Sequence, residues 1–200
     1  MLGVGMAVQL VSASLSRLTI FKNENTMKKV YMFVSMLVLS LSQFAYANQS
    51  LAPELKVFEA YLGTWQSDFP ISEGQTPVQD VTIWERALNG TTVRTLHSIN
   101  NGMYGGESLI FWDKAKQQLV FYYFTTAGFY TQGYMEMLND KEFVAYEAVT
   151  GNQDGITQVR STSTLDGDSI TVKTQYLKNG EWTMPEQRVY TRSDKQVIFQ

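Results

Sequence analysis

Apolar and polar positions alternate with a period of two through most of this chain, in runs of about 7–10 residues broken by Asn, Asp and Gly. Val78–Leu88 and Thr91–Ile99 flank Asn89-Gly90, a strong hairpin signal because both residues accept positive φ. Gly106–Trp112 and Gln118–Thr126 flank Asp113-Lys114-Ala115-Lys116, and Phe129–Leu138 and Glu142–Thr150 flank Asn139-Asp140-Lys141. Ile156–Leu165 and Ser169–Leu177 flank Asp166-Gly167-Asp168, and Gln187–Arg192 closes the series. One stretch departs from this rhythm. Leu55, Phe58 and Leu62 fall at i, i+3 and i+7, which predicts a short amphipathic helix ended by Gly63. Thr64–Phe69 then alternates as a first strand, and Pro70–Pro77 reads as a loop.

No helical pattern is long enough to cover a sheet, and the turns are of hairpin length. Such a meander hides its edges by closing or by stacking as a sandwich, and local turns favour neighbours that run up and down. The expected fold is therefore all-β: a closed antiparallel up-and-down barrel of about ten strands, with a short N-terminal plug helix and a signal peptide before it. Phe58, Leu62 and Trp65 are expected to pack into the plugged end.

The leader rests on a different pattern. Met27-Lys28-Lys29 precedes an apolar run, Val30–Leu41, and Ala45-Tyr46-Ala47 forms a small-x-small cleavage site. The apolar run is too short to span a bilayer comfortably, so cleavage after Ala47 is expected rather than a stable membrane anchor. The segments predicted are 1–26, an upstream extension of the gene model with Met27 as the true start; 27–47, the signal peptide; and 48–200, the barrel. The protein is then periplasmic or secreted. Sequencing the N-terminus of the precursor checks the start: a precursor beginning at Met1 removes that reading.

Charge and composition narrow the function. The chain has 16 basic and 19 acidic residues. Residues 1–47 hold Arg17, Lys22, Lys28, Lys29 and Glu24, so cleavage leaves 12 basic and 18 acidic residues, a net charge of −6. Nucleic acid and anionic lipid both require clustered cations, so neither is an expected partner. Cysteine is absent, which removes disulfides, thiolate metal sites and cysteine nucleophiles. His97 is the only histidine and carboxylates alone could join it, so no metal site is expected. No Gly-x-Ser-x-Gly elbow and no phosphate loop occurs; Gly102–Gly106 reads as a hairpin tip.

Aromatic residues make up 13% of the chain, with 11 Tyr and 11 Phe, and they concentrate in two successive strands. On one, Phe121, Tyr123 and Thr125 share a face; on the next, Tyr130, Gln132 and Tyr134 do. Both faces carry large or semi-polar side chains, which suits a cavity with hydrogen-bonding walls, and equally an aromatic core under a sticky outer surface. His97 shares a face with Val93, Thr95 and Ile99, with Arg94 and Leu96 opposite. It either lines the cavity or sits half-buried against a neighbouring strand. Arg94 and Arg86 could receive a ligand carboxylate if they point inward; outward, they are solvent charges. Trp84, Arg94 and His97, with Tyr123 and the Tyr130, Gln132, Tyr134 row, are the candidate cavity residues. Glu85, Glu107, Glu136 and Glu147 occupy strand positions where an outer, solvated face is favoured.

The opening Leu62-Gly63-Thr64-Trp65, the run Trp84-Glu85-Arg86-Ala87-Leu88-Asn89-Gly90 and the run Glu107-Ser108-Leu109-Ile110-Phe111-Trp112-Asp113 together resemble lipocalin-like calycin barrels. The resemblance is closest to an uncharacterised bacterial family, the DUF1579-type proteins, and more distant to nitrobindin-like haem barrels. It implies a ligand-sized cup plugged at one end, with no established activity. The haem version requires a histidine near the C-terminal end of the barrel, and Ser169–Arg192 has none, so no cofactor is expected. The function expected is an exported binding protein for a small, largely apolar ligand. The alternatives are a non-catalytic interaction module, homodimeric through its aromatic strands, and a barrel enzyme (isomerase or hydrolase) using His97 or a buried carboxylate.

Overall fold

The computed structural model describes residues 50–69, 76–150 and 154–200; the upstream extension and the signal peptide lie outside these residues. A 3-10 helix, Pro53–Tyr61, leads into β1 (Gly63–Phe69), β2 (Val78–Ala87), β3 (Thr92–Ile99) and β4 (Tyr104–Asp113). β5 (Gln118–Thr125), β6 (Tyr130–Asn139), β7 (Glu142–Ala148) and β8 (Ile156–Asp166) follow, then β9 (Ser169–Lys178), β10 (Glu181–Trp182) and β11 (Glu186–Arg192). Every pairing is antiparallel, from β1–β2 through β8–β9, and β11 returns to join β9 to β1. The two-residue β10 lies on the same side of β9 as β11, so the closed ring has ten staves. Closure leaves no long unpaired edge among the described residues, which is how an all-β chain without covering helices protects its backbone.

The plug obeys a different period from the one its sequence suggests. In a 3-10 helix residues i and i+3 eclipse, so Leu55, Phe58 and Tyr61 form the buried row. Tyr61 therefore takes the place expected of Leu62, which is only partly buried against the core. Phe58 and Tyr61 pack on Trp84 of β2 and Phe143 of β7, with ring centroids 5.4–5.9 Å apart, so the plug ties together strands from different parts of the ring. The Tyr61 hydroxyl donates to the Lys141 carbonyl at 2.8 Å.

Trp65 is fully buried, and its indole N–H donates to the Tyr61 carbonyl at 2.7 Å. Arg192, its register partner on β11, lies over the indole face at 3.6 Å from the ring centroid. The same guanidinium donates to the carbonyls of Leu62 at 2.6 Å and Ala60 at 3.0 Å, satisfying groups that the end of the helix leaves free. Gly63 makes room for it: φ is +111°, and a Cβ would stand 2.8 Å from Arg192 Nη1.

Residues 193–200 carry no strand pattern yet pack along the outer face. The Ile198 amide donates to Ser98 Oγ at 3.1 Å, and the Gln200 side chain donates to the Asn101 carbonyl at 2.8 Å. This strap accounts for the burial of Ser98 on an outward-facing position.

Candidate ligand-binding site

Alternation divides the candidate residues between the two faces. Thr82, Trp84, Thr95, His97 and Tyr123 face the interior, where they line two adjoining cavities. Arg94 does not. It is an odd number of residues from His97, so the pleat places it outside, where it donates to Glu107 at 2.9 and 3.0 Å and to Glu85 at 3.0 Å. Arg86 pairs with Glu59 of the plug helix. Neither arginine is free to receive a ligand carboxylate inside the barrel.

Tyr130, Gln132 and Tyr134 are also outside, contrary to the cavity role expected of them. The reason is Gly133, which faces inward: a Cβ there would lie 2.6 Å from the Phe121 ring, so only glycine lets that ring occupy the interior. Met135 follows inward, and the alternate residues are forced out. Tyr134 stacks on Tyr146 at 5.0 Å, Gln132 lines an outer groove beside Tyr122, and Tyr130 is 63% exposed.

Inside, a chain of hydrogen bonds joins residues of five strands. Tyr190 of β11 donates to Asp80 Oδ2 at 2.9 Å, and Asp80 Oδ1 lies 3.3 Å from His97 Nδ1. His97 Nε2 is 2.7 Å from the Tyr123 hydroxyl, which is 3.0 Å from that of Tyr104. Asp80 accepts from Tyr190, and the roles along the rest of the array follow the imidazole tautomer: with Nδ1–H directed to Asp80, Nε2 accepts from Tyr123, which in turn accepts from Tyr104. Asp80 is 4% exposed, so it is the anchor of this array rather than a solvent charge.

The cavity beside Asp80 and His97 has a volume of about 250 Å³ and continues over Ile170 and Val172. The other, about 190 Å³, lies between Phe121, Tyr123, Phe143 and Glu147; Trp84, Thr95 and Ser163 line both. The interior is graded along the barrel axis. Phe58, Tyr61, Trp84 and Phe143 make an aromatic floor at the plug. Towards the far end, the walls carry His97, Tyr123, Glu147 and the Ser161–Thr174 hydroxyl pair, which stand 3.0 Å apart.

Burial governs the titration of these groups. Desolvation pushes the Tyr61 phenol up to about 12, with the Glu142 charge adding to it. Burial pushes Tyr123 and Tyr190 up as well, Tyr123 assisted by its Tyr104 hydrogen bond and Tyr190 by the Asp80 charge. A phenol held more weakly acidic in the folded state stabilises the fold below its unfolded value near pH 10, and that contribution is lost as pH rises through the folded value. The expected result is stability from these three groups that is flat through neutral pH and falls above about pH 10. A spectrophotometric titration checks it: these phenols ionise together with unfolding, and ionisation at ordinary pH without unfolding contradicts the burial argument.

Gly106 also sets the site. It faces Tyr123 across the β4–β5 pair, and a Cβ there would overlap the phenol ring. Gly106→Ala is expected to displace Tyr123 from His97 and to cost about 1–3 kcal/mol as overpacking. Urea denaturation checks this; an unchanged midpoint means the ring has room to move.

Two central residues are absent from the sequence-based candidates. Asp80 left one available signal: aspartate is depleted in strands, so an Asp between Val78 and Thr82 invites a search for buried donors. Glu147 was expected on the solvated face, but Phe143, Ala145 and Glu147 share the inner face of β7. The other three strand glutamates keep the outward side: Glu85 and Glu107 pair with Arg94, and Glu136 is exposed.

No protein-family model matches this chain, and no curated protein matches it. Among solved structures, the crystal structure of Rv2717c from M. tuberculosis is similar over 72% of this chain and 99% of its own, at 12% identity and a TM-score of 0.48. That likeness is too distant to assign either a family or an activity.

Proposed function

We propose that this protein is an exported, lipocalin-like binding protein for a small, largely apolar ligand, periplasmic or secreted after cleavage at Ala47. The observation that carries the reading is the graded interior: cavities of about 250 and 190 Å³ with aromatic and aliphatic surface on the plug side and a few oriented polar groups beyond. Ligand sites combine apolar walls with a small number of fixed polar groups in this way. The volumes fall below the roughly 300–1,000 Å³ of drug-sized pockets, so the ligand is compact. Export is supported by the Lys28-Lys29 segment, the apolar run and Ala45-Tyr46-Ala47.

Native mass spectrometry of the protein purified from its own source tests the reading. The expected result is a mass addition that disappears on denaturation. A crystal structure in which side chains fill the cavities overturns it.

The Asp80–His97–Tyr123 array favours a second reading, a barrel enzyme. A carboxylate that orients an imidazole at the wall of a cavity is an arrangement general bases use. Incubating the co-purified compound with fresh protein separates the two: chemical change in the compound, lost in His97→Gln, supports catalysis, and an unchanged compound supports binding alone.

A further inference from the structure

The interior holds a carboxyl group for which the hydrogen-bonded array has no use. Glu147 lines the smaller cavity together with Trp84, Phe121, Tyr123 and Phe143. Among the described residues it makes no ion pair. Asp80, by contrast, accepts from both Tyr190 and His97 and is committed.

The surroundings make this unpaired carboxyl selective. Burial pushes Glu147 up from the usual carboxylate range, and the nearby Thr131 hydroxyl offsets part of that rise. Thr131 Oγ1 is itself buried without a partner at hydrogen-bond distance, so the corner contains two polar groups that the fold leaves under-used. Burial raises the phenols of Tyr123 and Tyr176, and the charge of Glu147 adds to both shifts, so these two neighbours are neutral hydroxyls. Arg188 acts on Tyr176 and Tyr190, and it lies over the Phe69 ring at 4.0 Å.

We infer that the cavity takes a small amphipathic amine, with its ammonium group against Glu147 and Thr131 and its apolar body among Trp84, Phe121 and Phe143. This rests on the cavity-binding reading above and adds the charge of the ligand. An ammonium gives the half-buried carboxylate the ionic partner it lacks. Aromatic faces around the site attract a cation through their quadrupoles. A ligand carboxylate would set like charges together at low effective dielectric, and a neutral ligand would leave Glu147 uncompensated.

Calorimetric titration of the mature protein with phenylethylamine, phenylethanol and phenylacetate at one pH and ionic strength tests the inference. The amine is expected to bind at least tenfold tighter than the alcohol, a difference of about 1.4 kcal/mol, with phenylacetate weakest. Glu147→Gln should erase the preference for the amine while leaving the affinity for the alcohol within about twofold. Because the isosteric amide replaces an unpaired charge, its melting temperature should not fall. Equal binding of amine and alcohol, persistence of the preference in the variant, or strong destabilisation by it overturns the assignment and leaves the cavity reading intact. Binding of none of the three removes both.

Discussion

Trp65→Ala is expected to cost about 3–5 kcal/mol, the range for removing a large aromatic side chain from a packed core. Trp65 is fully buried, and its loss does more than open a cavity. The Tyr61 carbonyl loses the indole N–H, and Arg192 loses the ring on which its guanidinium lies at 3.6 Å. That guanidinium also holds the Leu62 and Ala60 carbonyls, so the end of the plug loosens with it. Trp65→Phe keeps a ring under Arg192 while removing the hydrogen bond, and should recover more than half of the loss. Equilibrium urea denaturation measures both. A change below about 1 kcal/mol for alanine means that the plug does not hold β1 to β11.

Asp80→Ala should be the second most damaging change, at roughly 2–4 kcal/mol, because it leaves the Tyr190 hydroxyl buried without an acceptor and frees His97 Nδ1. Tyr190→Phe removes one donor and leaves no buried group unpaired apart from a carboxylate that still holds His97, so about 1 kcal/mol is expected. The order of the two variants is the informative result. Equal costs mean that Asp80 acts only through Tyr190; a larger cost for Asp80→Ala places it as the anchor of the whole array. Calorimetric melting of both proteins decides this, and weakened ligand binding in Asp80→Ala ties the array to the site.

Most of the fold was legible because β structure writes itself into a two-residue period. The ten runs delimited by Asn89-Gly90, Asn139-Asp140-Lys141, Asp166-Gly167-Asp168 and their like correspond to the ten staves of the ring, with boundaries shifted by a residue or two. The plug helix was legible as a departure from that period. Its register was not: Tyr61 replaces Leu62 because a 3-10 helix repeats every three residues, and three apolar positions do not distinguish it from an α-helix.

The site divides in the same way. Parity alone separates Arg94 from His97, so a role for both inside the barrel was excluded by the pleat. Parity cannot say which face is inside when both faces carry aromatics. In β6 that choice falls on Gly133, whose missing side chain admits the Phe121 ring and sends Tyr130, Gln132 and Tyr134 to solvent. In β7 it brings Glu147 in behind Phe143 and Ala145.

The sequence by itself therefore determined local periods: where strands begin and turn, which residues share a face, and that a plug precedes Gly63. The tertiary structure alone decided which face became the interior, and so which polar residues meet. Asp80, His97, Tyr104, Tyr123 and Tyr190 come from five strands as much as 110 residues apart, and no local pattern encodes their contact. Closing the ring brings β11 beside β1, and only then can the Tyr190 hydroxyl find its carboxylate on β2.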